Sequence, residues 1–101
     1  MRLTAHQHAA IRATASETFG ADALVWLFGS RADDSKRGGD IDLLVKTNLT
    51  DIHTITRAEI SFLTKLQMKL DEQKIDVLLD YPSRKRYPPI FSIAKKTGIL
   101  L

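Results

Sequence analysis

Asp40 and Asp42 stand two residues apart at the head of an apolar run, Asp40 to Val45 (DIDLLV), and Asp76 stands inside another, Lys74 to Leu79 (KIDVLL). Aspartate is depleted in β-strands, so a reason other than folding is needed for it here. Side chains two apart on a strand share a face. Asp40 and Asp42 then project together, roughly 6–7 Å apart at Cα, while Ile41, Leu43 and Val45 enter the core. If the two strands are neighbours, roughly 4.8 Å apart, Asp76 reaches the same point. Three carboxylates converging in a partly dry place repel one another and push at least one pKa upward. A divalent cation removes the conflict. Hard oxygen ligands at this spacing suit Mg²⁺, which takes a few carboxylates plus water and substrate phosphates. Two such ions can activate an attacking hydroxyl and stabilise a leaving pyrophosphate. The competing reading makes Asp40 the end of a loop after Gly38 and Gly39, with Asp42 and Asp76 on a solvated sheet face.

Gly29-Ser30 sharpens the case for chemistry. A glycine at the end of a buried strand lets backbone N–H groups approach an anion closely, and the serine adds a hydroxyl donor. A short helix after it would aim its N-terminus at the same anion. Gly-Ser alone is a common turn; its place one strand before Asp-x-Asp gives it meaning.

These residues need elements to hold them. Thr4 and Gln7 form a capping-box pattern, and Ile11, Ala15 and Phe19 give one apolar face to a helix stopping at Gly20. Ala23 to Phe28 (ALVWLF) reads as a strand buried on both faces. Arg31 to Gly39 is a polar loop, with or without a short helical turn. Asp40 to Val45 is the second strand. Asn48, Thr50 and Asp51 supply turn and N-cap chemistry for a helix over Ile52 to Leu70, whose stripe is Ile52, Ile55, Phe62, Leu63, Leu66 and Leu70. Lys74 to Leu79 is the third strand. Tyr81 to Pro89 is a basic, proline-bearing loop, and Ile90 to Lys96 a last helix. The fold class is α/β (α+β): a small mixed β-sheet flanked by helices.

The chain has 101 residues, which fits a single domain over 1–101. It contains no cysteine, so disulfides and thiolate metal sites are excluded. No apolar run approaches the ~20 residues needed to span a bilayer, and Met1 to Ala10 lacks the apolar block of a signal peptide; the expectation is a cytoplasmic protein with no membrane association. The net charge of +3 is a mild excess compatible with phosphate or nucleic acid and diagnostic of neither. There is no P-loop, dinucleotide-binding or serine-hydrolase motif.

VWLFGSRADDSKRGGDIDLLV followed by KIDVLL resembles the minimal nucleotidyltransferases of the DNA polymerase β superfamily. Their signature is an apolar strand, Gly-Ser or Gly-Gly, a loop, then Asp-hydrophobic-Asp-hydrophobic, with a third acidic residue on a later strand. The loop here, Arg31 to Gly39, has nine residues, and the resemblance extends from about Ala23 to Leu101. It implies a polymerase β-type fold and transfer of a nucleoside monophosphate, AMP from ATP, with release of pyrophosphate. It implies that Gly29, Ser30 and Arg31 bind the nucleotide. Asp40, Asp42 and Asp76 would be catalytic and hold one or two Mg²⁺ ions. It also suggests a partner: chains this short are often antitoxins paired with a helical HEPN-family protein, which they modify on a tyrosine hydroxyl. A domain this small cannot enclose a substrate by itself, so a partner or a second copy completes the cleft. Two other readings stay open: a catalytically weak antitoxin that neutralises its partner by occlusion, and an antibiotic-type enzyme acting on a small molecule. The chain departs from many relatives in having Gly39 where they have serine, and Asp33-Asp34 where a glycine is commoner; both aspartates add negative charge near the phosphate site.

Weaker signals remain. Arg84, Lys85 and Arg86 could contact phosphate, RNA or an acidic surface, or form a solvated loop. Lys36 and Arg37 could touch phosphate or stay exposed. His6 and His8, two apart on a helix, do not share a face and make a poor metal pair. Trp26 and Phe28 read as core residues.

Overall fold

The computed structural model of the chain describes residues 1–71 and 73–101. Its order is α1 (Ala5–Phe19), β1 (Leu24–Phe28), a 3₁₀ turn (Gly29–Arg31), β2 (Ile41–Lys46), α2 (Ile52–Lys69), β3 (Ile75–Asp80), α3 (Ile90–Thr97) and β4 (Ile99–Leu100). Among the described residues the strands form one four-stranded sheet in the order β3-β2-β1-β4. β1 is antiparallel to β2 and to β4, whereas β2 and β3, joined through α2, run parallel. This is the small mixed α+β sheet flanked by helices that the sequence predicts.

The helix ends follow from local chemistry. Thr4 caps α1: its hydroxyl accepts from Gln7 N–H, and the Gln7 side chain accepts from Thr4 N–H. Asp51 caps α2 by accepting from the backbone N–H and hydroxyl of Thr54, and these bonds hold its carboxyl below the ordinary range.

Alternation divides the strands between two cores. Val25 and Leu27 of β1, Ile41, Leu43 and Val45 of β2, and Ile75 and Leu79 of β3 pack under α1 and α2, with Ile11, Phe19, Ile55, Phe62 and Leu66. Phe19 and Phe62 meet edge to face, 5.4 Å between centroids. On the opposite face Phe28 and Leu44 pack with Phe91 and Ala94 of α3, joined by Trp26 and Leu78. The strand faces therefore alternate between the two helical layers, and Asp42 and Asp76 belong to the α3 face.

Several boundaries differ from expectation. The expected first strand loses Ala23, and Leu24 is exposed because it lies at the rim of the sheet. Asp40 lies just outside β2, while Lys46 and Asp80 extend β2 and β3 by one residue each. The stripe of α2 runs through Ala58, and Ile52 at its first turn faces solvent. β4 was not anticipated. Ile99 and Leu100 are too few to carry a periodic signal, and pairing with Leu27 and Trp26 makes them a strand.

Candidate active site

β1, β2 and β3 together place the chemistry-bearing residues at one end of the α3 face. Asp42 is the second residue of β2 and Asp76 the second of β3, and the two are direct partners across the parallel register. Partners on neighbouring strands point the same way, so both carboxyls stand side by side. On its other flank Asp42 is paired with Phe28, the last residue of β1. The next residue, Gly29, has φ 73°, and a Cβ there would collide with the Asp42 carboxylate. Glycine is thus required twice over: for the left-handed backbone and for the close approach of the turn to the carboxylate.

Burial raises the Asp42 pKa, and the charges of Asp76 and Asp40 push it further up, against a smaller opposing effect from Lys74. Asp76 is exposed, open to anything approaching from solvent. Asp40 precedes β2, and its carboxylate lies 3.6 Å from Lys74 Nζ in an exposed ion pair, the kind that contributes little to stability. Among the described residues no group of three or more His, Cys, Asp or Glu side chains is gathered closely enough to hold an ion. The donor set nevertheless fits a hard divalent cation: it is all carboxylate oxygen, with the half-buried Asp42 and the exposed Asp76 side by side.

Ser30 sits in the 3₁₀ turn. Gly38, at φ 153°, leaves room for its hydroxyl; a Cβ at Gly38 would lie 2.5 Å from Ser30 Oγ. Beside Gly29 runs a groove of about 380 Å³, lined by Ala32, Asp33, Asp34, Lys36, Ile93 and Thr97. Lys36 thus borders the Gly29–Arg31 turn, in company with both aspartates. Asp33 already accepts from Ser35 N–H and Oγ at 2.9 and 2.6 Å, and these bonds lower its pKa.

The side chain of Arg31 turns away from this groove, to Gly39, Arg2 and Gln73. Arg84 is not a free cation either. Its guanidinium lies 4.6 Å from the Phe91 centroid and within 6 Å of those of Tyr87 and Tyr81, at 5.5 and 5.7 Å, while Lys85 and Arg86 stay exposed. Arg2, Gln73 and Lys74 are the site-shaping residues that pattern reading missed. Only Lys74, flanking a strand aspartate, carried any signal.

A strand-ending Gly-Ser turn set against a carboxylate pair on adjacent strands, in this sheet order, is the arrangement of a nucleotidyl-transferring domain. The family model described as "Nucleotidyltransferase domain" matches residues 9–100, nearly the whole chain, and the chain belongs to that family. Nucleotidyl transfer is its class of chemistry, and a nucleoside triphosphate its class of substrate. No curated protein matches it. Among the described residues no helix is long and apolar enough to cross a membrane.

Proposed function

We propose that this chain is a Mg²⁺-dependent nucleotidyltransferase that moves a nucleoside monophosphate, AMP from ATP, to a hydroxyl of a partner protein. The observation that carries this reading is the Asp42–Asp76 pair with Gly29 packed against it. Asp40, Asp42 and Asp76 would hold the metal, which when bound supplies the positive charge that lets carboxylates and phosphates share one site. The backbone of Gly29 and Ser30, with the Ser30 hydroxyl, holds the β- and γ-phosphates. The acceptor hydroxyl approaches Asp76 from solvent and attacks the α-phosphorus in line. The new O–P bond forms as the α–β bridging bond breaks; pyrophosphate leaves, and the hydroxyl proton passes to Asp76. Positioning and charge neutralisation supply most of the acceleration in such a reaction.

Protein acceptors are favoured over small molecules because the site lies at one end of a sheet face with Asp76 exposed to solvent. The resemblance to minimal nucleotidyltransferases supports a HEPN-family protein as the partner, with the chain acting as its antitoxin in the cytoplasm. Two observations favour the second reading, neutralisation by occlusion: Lys74 already pairs with Asp40, and two aspartates border the phosphate turn.

Incubation with α-labelled ATP and Mg²⁺, with and without the product of the neighbouring gene, separates these readings. Label on the partner that disappears in the Asp40→Asn/Asp42→Asn variant supports transfer. Neutralisation that survives this double substitution, without label, supports occlusion and ends the enzymatic proposal.

A further inference from the structure

The Arg31 guanidinium touches three separate segments. Nε and Nη2 donate to Gly39 O at 3.1 and 2.9 Å, Nη1 donates to Arg2 O at 3.1 Å, and Nη2 also donates to Gln73 Oε1 at 3.0 Å. Gly39 directly precedes Asp40. Gln73 lies three residues before Asp76, on the segment leading into β3. Arg31 itself ends the turn that carries Gly29 and Ser30. Further bonds repeat the connection: Arg2 N–H donates to Arg31 O at 2.8 Å, the Arg2 side chain donates from Nη2 to Ser30 O at 3.1 Å, and Ile41 N–H donates to Lys74 O at 2.9 Å. With four of the five guanidinium N–H donors directed to protein oxygens, little of the side chain is left for a phosphate.

We infer that Arg31 is a positioning residue: its planar fork ties the phosphate turn, the residue before Asp40 and the segment leading to Asp76 into one bracket that fixes the carboxylates against the turn. The inference of a catalytic consequence rests on the nucleotidyl-transfer reading above; the bracket itself does not. A fork of fixed geometry can hold three segments at once, whereas the single ammonium of lysine cannot. That difference separates bracketing from mere charge.

The experiment compares wild type with Arg31→Lys, Arg31→Gln and, as a milder break in the same bracket, Gln73→Met. The first readout needs neither metal nor nucleotide: amide hydrogen exchange at Ile41, whose N–H closes the first rung between the two acid-bearing segments. Both Arg31 variants should speed it about tenfold or more, the cost of losing charge-assisted bonds, with the α1 and α2 amides unchanged; Gln73→Met should shift it less, in the same direction. The second readout is binding of Mn²⁺ alone, expected to weaken about tenfold, against binding of inorganic triphosphate in EDTA, expected to change less than about twofold. In turnover, kcat should fall with little change in the KM for ATP. Full rescue by Arg31→Lys together with loss of triphosphate binding in Arg31→Gln would overturn the inference and make Arg31 a phosphate ligand. Unchanged Ile41 exchange in both Arg31 variants would also overturn it. If wild type itself neither binds Mn²⁺ nor transfers label, the proposed function fails, and Ile41 exchange still decides the bracket. Should the Arg31 variants fail to fold, Gln73→Met carries the same test: faster Ile41 exchange supports the bracket and unchanged exchange refutes it.

Discussion

Asp42 is the residue where folding and proposed function pull in opposite directions. Its carboxyl is partly buried beside Asp76 and near Asp40, and its pKa is raised in the folded chain. A carboxyl with a higher folded than unfolded pKa favours the fold when protonated and opposes it when ionised. In metal-free protein the contribution of Asp42 should therefore turn unfavourable as pH rises through the ordinary carboxylate range toward the raised value, opposing the gain from Asp33 and Asp51, whose lowered pKa values act the other way. Asp42→Asn should remove this dependence and stabilise the metal-free chain at pH 7, while reducing transfer by about 100-fold or more. Thermal unfolding with and without Mg²⁺ checks both sides: the ion should raise the wild-type midpoint and leave the variant's unmoved. Gly29 offers the complementary test. Gly29→Ala faces a left-handed backbone and a collision with Asp42, so a loss of about 1–2 kcal/mol is expected in urea titration, together with weaker triphosphate binding.

At the scale of elements, caps and the α3 layer deserve separate tests because only one of them borders the site. Thr4→Ala removes the α1 cap, whose bonds are to Gln7 alone, and should cost about 1 kcal/mol of stability in thermal or urea unfolding. Arg84 lies among Tyr81, Tyr87 and Phe91 and so links the proline-bearing loop to α3. Its stem and cation fill a space between aromatic rings, so Arg84→Ala should cost about 1 kcal/mol. Because α3 carries Phe91 and Ala94 onto the Phe28–Leu44 face beside Trp26, a change in Trp26 fluorescence is the expected sign that the layer has loosened. Charge alone leaves Arg84 either a contact for phosphate, RNA or an acidic surface or part of a solvated loop; the rings around it, Tyr81, Tyr87 and Phe91, come together only in the folded chain.

Across the whole molecule, the larger core under α1 and α2 sets the stability on which the open site depends. Phe62 is fully buried and meets Phe19 edge to face. Phe62→Ala should cost about 3–5 kcal/mol, a large part of the roughly 5–15 kcal/mol that holds a domain folded. Denaturant titration should show a markedly lower midpoint. Ile60 and Met68 on the outer side of α2 are by contrast well exposed and contribute little to that core.

The amino-acid sequence by itself determined the alternation that sends Ile41, Leu43 and Val45 one way and Asp42 the other, the capping of α1 by Thr4, and the glycine at the end of β1. These follow from strand period, hydrogen-bonding groups within a few residues, and backbone freedom, all local properties. Tertiary structure decided the rest. The pairing of β2 with β3 that sets Asp42 beside Asp76, the reach of Lys74 to Asp40, the strand made by Ile99 and Leu100, and the turning of Arg31 toward Gly39 and Gln73 depend on contacts between residues far apart in the chain. A side chain's type and spacing limit which face it takes. Which partner it meets is settled only when the layers close around it.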